Sequence, residues 1–258
     1  MRAAQSRFLY REQSMQYEEL AKVYDPLMAD VDRGAWAEYI SRFIPAGASV
    51  LECACGTGEM SIRLARMGYD VTATDLSEEM LLVAAQKQRE EGLAKAGLRF
   101  IRMDMRALSH HKKVDCVVAC CDGVNYLLSR GEVQKFFDSA CAVLKPGGRL
   151  LFDISSRYKL ENVLGSNCFT DNGREVAYLW QNEYDKDTKL IRMELSFFKR
   201  EGGLYRRFDE THIQRAHSVR ELGSWLDLSG FDWKAYGFLT EKEPEKTEER
   251  IQFIAVKR

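Results

Sequence analysis

Hydrophobic positions follow three successive rhythms along the chain. Between residues 16 and 43, Tyr17, Leu20, Val23 and Tyr24, then Trp36, Ile40 and Phe43, recur at helical spacing and predict two helices broken around residues 30–34. From residue 49 the texture changes. Short apolar runs at 49–54 (SVLECA), 69–75, 98–104, 114–120 and 149–154 read as strands. The stretches 59–68, 77–92 and 131–144 read as helices, with Ser77 as an N-cap, Gly68 and Gly92 as stops and a KPGG turn before the fifth strand. Strand and helix alternating at this spacing require right-handed crossovers and a parallel sheet covered on both faces.

The third rhythm begins near residue 155. Residues 175–214 hold three alternating runs separated by DKDT and EGG, which are hairpin signals and predict a three-stranded antiparallel insert. Period-two alternation places Val176, Tyr178 and Trp180 on one face, and Phe208, Glu210, His212 and Gln214 on one face. A helix over 218–230 and strands at 231–239 and 250–258 close the chain. Between them the TEKEPEKTEE segment, with five Glu and two Lys, is expected to be a solvated loop. The expected fold is α/β, a Rossmann-like seven-stranded, mostly parallel sheet with a reversed last strand plus a small antiparallel β insert. Its expected parts are N-terminal helices over 1–45, a core over 46–154, the insert over 155–215 and a completing helix and strands over 216–258.

Charge changes this picture little. Thirty-eight basic residues against 39 acidic ones leave no global field toward nucleic acid or an anionic membrane. No apolar run approaches the ~20 residues of a membrane span, and the first 14 residues lack the apolar core of a secretory signal, reading as a frayed leader. Seven cysteines, five of them in or beside apolar runs, fit reduced thiols in a cytoplasmic protein. Their spacings do not match a zinc site, so no metal is expected.

The loop at the end of the first strand, VLECACGTG (50–58), carries the chemistry. Ligands of open parallel sheets bind at the carboxyl ends of the strands, and Gly56 and Gly58 permit close backbone approach. A dinucleotide fingerprint would need a third glycine where Ser61 stands, and Glu59 puts a negative charge at the helix start, where it opposes a pyrophosphate. A nucleoside with a positive centre and no phosphates fits better. Asp75, at the end of the second strand, is placed to accept from both ribose hydroxyls.

VLECACGTG, VTATDLS, FIRMDMRAL, DCVVACCDGVNYL and LKPGGRLLFDI together, in this order over residues 48–154, resemble the successive motifs of the class I S-adenosylmethionine-dependent methyltransferases. The insert and the YDPLM segment before the fold are similar to those of small bacterial members. The resemblance implies S-adenosylmethionine as cofactor, S-adenosylhomocysteine as product, and a set of roles. Glu52 and the backbone at Cys53, Ala54 and Gly56 would hold the methionine ammonium and carboxylate. Asp75 would bind the ribose, Leu76 and Met80 would pack on the adenine, and Asp104 and the Met105 amide would meet its edge. Cys120 would lie near the sulfonium, Asp122 at the mouth, and Tyr24 would close the site. Ala54 stands where glycine is commoner and is compatible with that role if its φ is negative.

Methyl transfer from a sulfonium mainly requires alignment, and a base only if the acceptor must lose a proton. The acceptor is expected over the loop after the fourth strand and under the insert, with Asn125, Tyr126, Tyr178, Trp180, His212 and Arg215 as candidate contacts. His212, Tyr126 and Asp122 are the candidates for proton transfer, and Arg215 could instead pair with Glu221. The leading expectation is a small-molecule acceptor and a monomeric or homodimeric protein. RNA is the rival acceptor, resting on Lys199, Arg200, Arg206 and Arg207, and a non-catalytic cofactor-binding module is a second rival.

Overall fold

The computed structural model describes residues 19–29, 31–93 and 97–258; the leader and Tyr17 lie outside them. A short 3-10 turn, Leu20–Lys22, leads to α1 (Tyr24–Leu27) and then α2 (Arg33–Ser41). The first expected helix is thus two fragments. Pro26 has no N–H to give to the carbonyl four residues back, so a continuous helix from Leu20 is ruled out while Pro26 is tolerated in the first turn of α1. Asp32 caps α2 by accepting from the Ala35 amide (2.9 Å).

The main unit runs β1 (Ser49–Cys53), α3 (Glu59–Arg66), β2 (Asp70–Asp75), α4 (Glu78–Glu90), β3 (Leu98–Arg102), β4 (Val114–Ala119), α5 (Arg130–Val143) and β5 (Leu144–Ser155). After a second sheet it closes with α6 (Val219–Leu228), β10 (Phe231–Gly237) and β11 (Arg250–Lys257). The sheet order is β10-β11-β5-β4-β1-β2-β3, with β11 antiparallel to both neighbours, so the reversed last strand is present. Ser77 caps α4 as expected (3.1 Å to the Met80 amide), and full capping boxes start α5 and α6.

Alternate side chains of the central strands feed two cores. Leu51, Val117, Ala119, Leu150 and Phe152 face α5 and α6, meeting Phe136, Phe137, Leu222 and Phe253. Val50, Cys116, Val118 and Leu151 face α2 and α3 on the other side, meeting Trp36, Ile40, Ile62 and Leu64. Phe136 and Phe137 are fully buried, and truncating either to alanine should destabilise by roughly 3–5 kcal/mol. This rigid double core fixes the carboxyl ends of β1, β2 and β4 side by side, since Cys53 pairs with Thr74 and Glu52 with Val118.

The second sheet has four strands rather than the expected three: β6 (Cys168–Asp171), β7 (Val176–Asp185), β8 (Leu190–Glu201) and β9 (Leu204–Arg215), all antiparallel. β6 is a four-residue edge strand, largely exposed, without the apolar alternation that would announce it. Asn125 joins this sheet to the main unit. Its amide nitrogen donates to the Ser155 carbonyl (3.0 Å) and the Arg215 carbonyl (2.9 Å), while its oxygen accepts from the Ser155 amide (3.0 Å).

Candidate functional site

The site is built from backbone strain held by buried ion pairs. Ala54, Gly56 and Gly58 all have positive φ (52, 54 and 77°), so the condition of a negative φ at Ala54 is not met and the alanine is held in the left-handed region. The strand must reverse at once to feed α3, and the left-handed conformation at residue 54 does this. Gly58 is needed for packing, because a Cβ there would sit 2.9 Å from the Phe100 ring and Ala84. Around Gly56 nothing lies within 4 Å of a built Cβ, so its backbone is left open to a ligand.

Asp75 faces this loop. Its Oδ2 accepts from the Gly56 amide (2.8 Å) and its Oδ1 from the Ser77 amide (2.9 Å), fixing the carboxyl group at the end of β2. Burial raises its pKa, opposed by those backbone bonds. Glu52 lies below, 2% exposed, accepting from the Ser61 hydroxyl. Burial pushes its carboxyl up to about 8, with Ser61 opposing and Asp75 adding to the rise. A buried acid with a displaced pKa beside a glycine loop is where a cationic ligand group gains most. Burial also raises the Cys53, Cys55 and Cys120 thiols, which fits packing and not nucleophilic use.

Along the same edge, Leu76 is 54% exposed while Met80 and Met105 are buried, so Leu76 alone of the three presents a broad apolar surface. Asp104 accepts from the Arg106 amide (2.8 Å) and is clamped by the Arg106 guanidinium (2.6 Å), which also meets Glu132 (2.8 Å).

After β4, Cys121 and Asp122 are two consecutive non-glycine residues at positive φ (58 and 52°). Such strain, about 1–2 kcal/mol per residue, persists only where surroundings over-determine it. Here the Asp122 amide donates to Asp153 Oδ2 (3.0 Å), Arg250 bridges Asp122 (2.9 Å) and Asp153, and Gln214 of β9 donates to Asp122 Oδ2 (2.7 Å). Arg250 itself lies over the Trp36 ring, 5.2 Å from its centroid. Asp153 is pushed up to about 6 by burial, Arg250 opposing and Asp122 adding. A Cβ on Gly123 would come 3.1 Å from Ala54 Cβ, so this corner packs against the glycine loop.

The inward face of β9 is polar and deeply buried: Glu210, His212 and Gln214 are 7, 5 and 4% exposed. His212 Nδ1 lies 3.2 Å from the Tyr126 hydroxyl, and burial holds its ring at about 4, neutral at physiological pH. Tyr178 and Trp180 share this face of the sheet, in register through Phe197 and Leu195 with Phe208 and Glu210; Tyr178 also joins Leu20, Val23 and Phe197 in an apolar cluster, and Trp180 packs on Phe169 (5.4 Å) near Leu160 and Leu164. Arg215 donates to the Leu128 (3.5 Å) and Thr188 (3.4 Å) carbonyls and approaches Glu221 (4.0 Å), the pairing its alternative reading anticipates. Of the six candidate acceptor contacts, the structure therefore groups Tyr126 and His212 with Asp122. Tyr178 and Trp180 lie on the same sheet face as His212, further along it, while Asn125 holds backbone and Arg215 meets backbone carbonyls and Glu221.

Tyr24 sits over this corner, its hydroxyl pKa raised first by burial and then by Cys121 and Asp122. The adjacent Asp25, not singled out from the sequence, ties α1 down. It accepts from Thr57 Oγ1 (2.6 Å) in the glycine loop and from Lys87 Nζ (2.7 Å), which also reaches Glu59 (2.9 Å). Glu59 thereby finds a cation partner at the start of α3. Arg250 was also missed, because it acquires meaning only from Asp122 and Asp153, far away in sequence.

Fitted to S-adenosylmethionine, the donor set is coherent: an open glycine backbone, a fixed carboxyl at the end of β2, a buried acid for an ammonium, and no phosphate cradle. The family model Methyltransf_25, described as a methyltransferase domain, matches residues 50–148. "Putative methyltransferase YqeM" of Bacillus subtilis (strain 168) is 39% identical over 94% of this chain and 98% of its own length. The crystal structure of an S-adenosylmethionine-dependent methyltransferase from Clostridium acetobutylicum ATCC 824 superposes with a TM-score of 0.84 at 34% identity, covering 93% of this chain and 98% of that one. The CcbJ methyltransferase from Streptomyces caelestis shares the fold, with a TM-score of 0.79 at 19% identity over 95% and 98% of the two chains. The chain belongs to the class I S-adenosylmethionine-dependent methyltransferases.

Proposed function

We propose that this methyltransferase acts on a small-molecule acceptor seated between the Asp122–Tyr126 corner and the inward face of β9. The observation that carries the reading is the buried polar face of Glu210, His212 and Gln214, joined to the corner through Gln214–Asp122 and His212–Tyr126. Groups this deep suit a compact polar molecule enclosed by the second sheet, which a nucleotide within a folded RNA would not reach.

S-adenosylmethionine supplies the activated methyl group when bound. Glu52 would hold its ammonium, Asp75 its ribose, and the backbone of Ala54 and Gly56 the methionine chain. The protein's remaining task is orientation, which can contribute roughly 7–11 kcal/mol to lowering the barrier. Asp122 is held by Arg250 and Gln214 in one position at the mouth, and His212, neutral at pH 7, can take a proton from an acceptor hydroxyl or amine at Tyr126.

The RNA alternative draws less support. Arg200 meets Glu175 (3.3 Å), Arg206 meets Glu19 (3.4 Å) and Arg207 meets Asp209 (2.9 Å), so the β8–β9 end is a set of ion pairs and not a bare basic patch. Incubation with methyl-labelled cofactor and separated RNA, protein and small-metabolite fractions tests the proposal. Label in the metabolite fraction supports it, label in RNA replaces it, and cofactor binding without transfer to any fraction points to a binding module.

A further inference from the structure

At the end of the main sheet opposite the glycine loop, the amino ends of β1, β4 and β5 frame a second cavity, of about 390 Å³. From Asp115 to the end of β4 at Ala119 is roughly 13 Å at ~3.3 Å per residue, so the depth of the sheet separates this cavity from the cofactor edge. Its wall is the connection after α2, with Arg42, Phe43 and Pro45, and its floor is Asp115, Arg149 and the KPGG turn. The volume falls within the roughly 300–1,000 Å³ of small-molecule clefts. The turn is pinned to the sheet, because a Cβ on Gly148 would come 2.9 Å from the Lys145 carbonyl and 3.1 Å from the Asp115 carbonyl. Gly147, at φ 71°, lines the cavity with nothing within 4 Å of a built Cβ.

Three basic side chains face one acid there, and that acid is fully engaged. Asp115 accepts from Lys145 Nζ (2.6 Å), the Ser49 hydroxyl (2.7 Å) and the Ser49 amide (2.9 Å). Burial would raise its carboxyl, but Lys145 and Ser49 outweigh it and hold the pKa at about 2. Arg149, half-buried, donates only to the Phe43 carbonyl, and Arg42 rests 5.8 Å from the centroid of the Tyr39 ring. Neither guanidinium has a carboxylate within salt-bridge distance among the described residues. Two uncompensated arginines thus border a hollow whose remaining wall is apolar.

We propose that this cavity binds a phosphorylated small molecule, its phosphate between Arg42 and Arg149 and its organic body against Phe43, Pro45 and Pro146. Planar guanidinium forks match phosphate oxygens two at a time. The glycine loop, with Glu52 and Glu59 beside it, disfavours the same ligand, so the two ends of the sheet sort their ligands by charge.

Calorimetric titration of the full chain with phenyl phosphate at low ionic strength should give saturable binding with a Kd of about 1 mM or below. Phenol should not bind, and inorganic phosphate, which forgoes the apolar wall, should bind at least about threefold more weakly. Saturating S-adenosylhomocysteine should leave the phenyl phosphate Kd within about twofold, as for uncoupled sites. Arg42→Gln should weaken binding about tenfold, as for loss of a charge-assisted hydrogen bond. Asp115→Asn, whose amide oxygen can still accept from Ser49, removes the one negative charge, frees Lys145 and should tighten binding about threefold; a merely structural role for Asp115 predicts no gain. The proposal is overturned by no saturation up to ~10 mM, by unchanged affinity in Arg42→Gln, by competition with S-adenosylhomocysteine, or by phenol or inorganic phosphate matching phenyl phosphate. A short single-stranded RNA that binds more tightly than phenyl phosphate and is lost in Arg42→Gln also overturns it, reassigning the arginines to a nucleic acid backbone. Should Arg42→Gln not fold, Asp115→Asn decides: tighter binding supports the site, and unchanged or weaker binding rejects it.

Discussion

If Glu52 holds the cofactor's ammonium as proposed, cofactor binding should release a proton. With its carboxyl raised to about 8 by burial, roughly nine-tenths of the molecules at pH 7 carry the proton there before any ligand arrives. Pairing with the cofactor's ammonium requires the carboxylate form and should pull the pKa to about 5 or below, so about 0.9 proton should leave per S-adenosylhomocysteine bound at pH 7. Affinity should then rise nearly tenfold per pH unit from 6 toward 8, about 1.4 kcal/mol for each unit, and level off above. Calorimetry in phosphate and Tris, whose ionisation enthalpies differ, reads the released proton directly. Glu52→Gln should abolish the buffer dependence and flatten the pH profile. Identical enthalpies in the two buffers, together with flat wild-type affinity between pH 6 and 8, would refute both the displaced pKa and the proposed ammonium contact. The ligand-free protein obeys the opposite slope. Its native state holds this proton more tightly than the unfolded chain between about pH 4.5 and 8, so the Glu52 contribution to stability falls as pH rises through that window.

Three further outcomes are expected. Ala54→Gly removes a left-handed strain of about 1–2 kcal/mol but adds unfolded-state freedom of about 0.4–1 kcal/mol, so thermal unfolding should show a net gain of up to about 1.6 kcal/mol with cofactor affinity preserved. Lys87→Met cuts the ties to Asp25 and Glu59; the pairs are only partly buried, so stopped-flow should show cofactor dissociation faster by only about three- to tenfold. Arg250→Met strands the buried Asp153 carboxyl beside Asp122, and denaturant unfolding should register a loss of about 3–5 kcal/mol, smaller at pH 5, where Asp153 takes up a proton.

The main sheet was legible because each strand is a short apolar run and each helix is bounded by residues with local capping physics, Ser77 and Gly92 being examples. The same logic fails at β6, whose four largely exposed residues pair with β7 for reasons that lie in β7. It fails again at Pro26, where one missing N–H divides a helical periodicity. Within the site, Asp75 and Gly56 were readable because they are consecutive features of one strand-loop-helix unit. Asn125 was not, because its amide is used by Ser155 and Arg215, residues 30 and 90 positions away. The sign of φ at Ala54 is a property of packing, and no local pattern encodes it.

The strap at the N-terminal edge has a thermodynamic consequence for the order of events. Leu20 and Val23 rest on Phe197 of the second sheet, while Asp25, five residues beyond Leu20, is bonded to the glycine loop. A single short span thus touches both the surface proposed for the acceptor and the surface proposed for the cofactor. Whatever factor one ligand gains by fastening that span, reciprocity obliges the other to gain as well. The two affinities should rise together by one common ratio, and a variant that frees Asp25 should drive that ratio to unity.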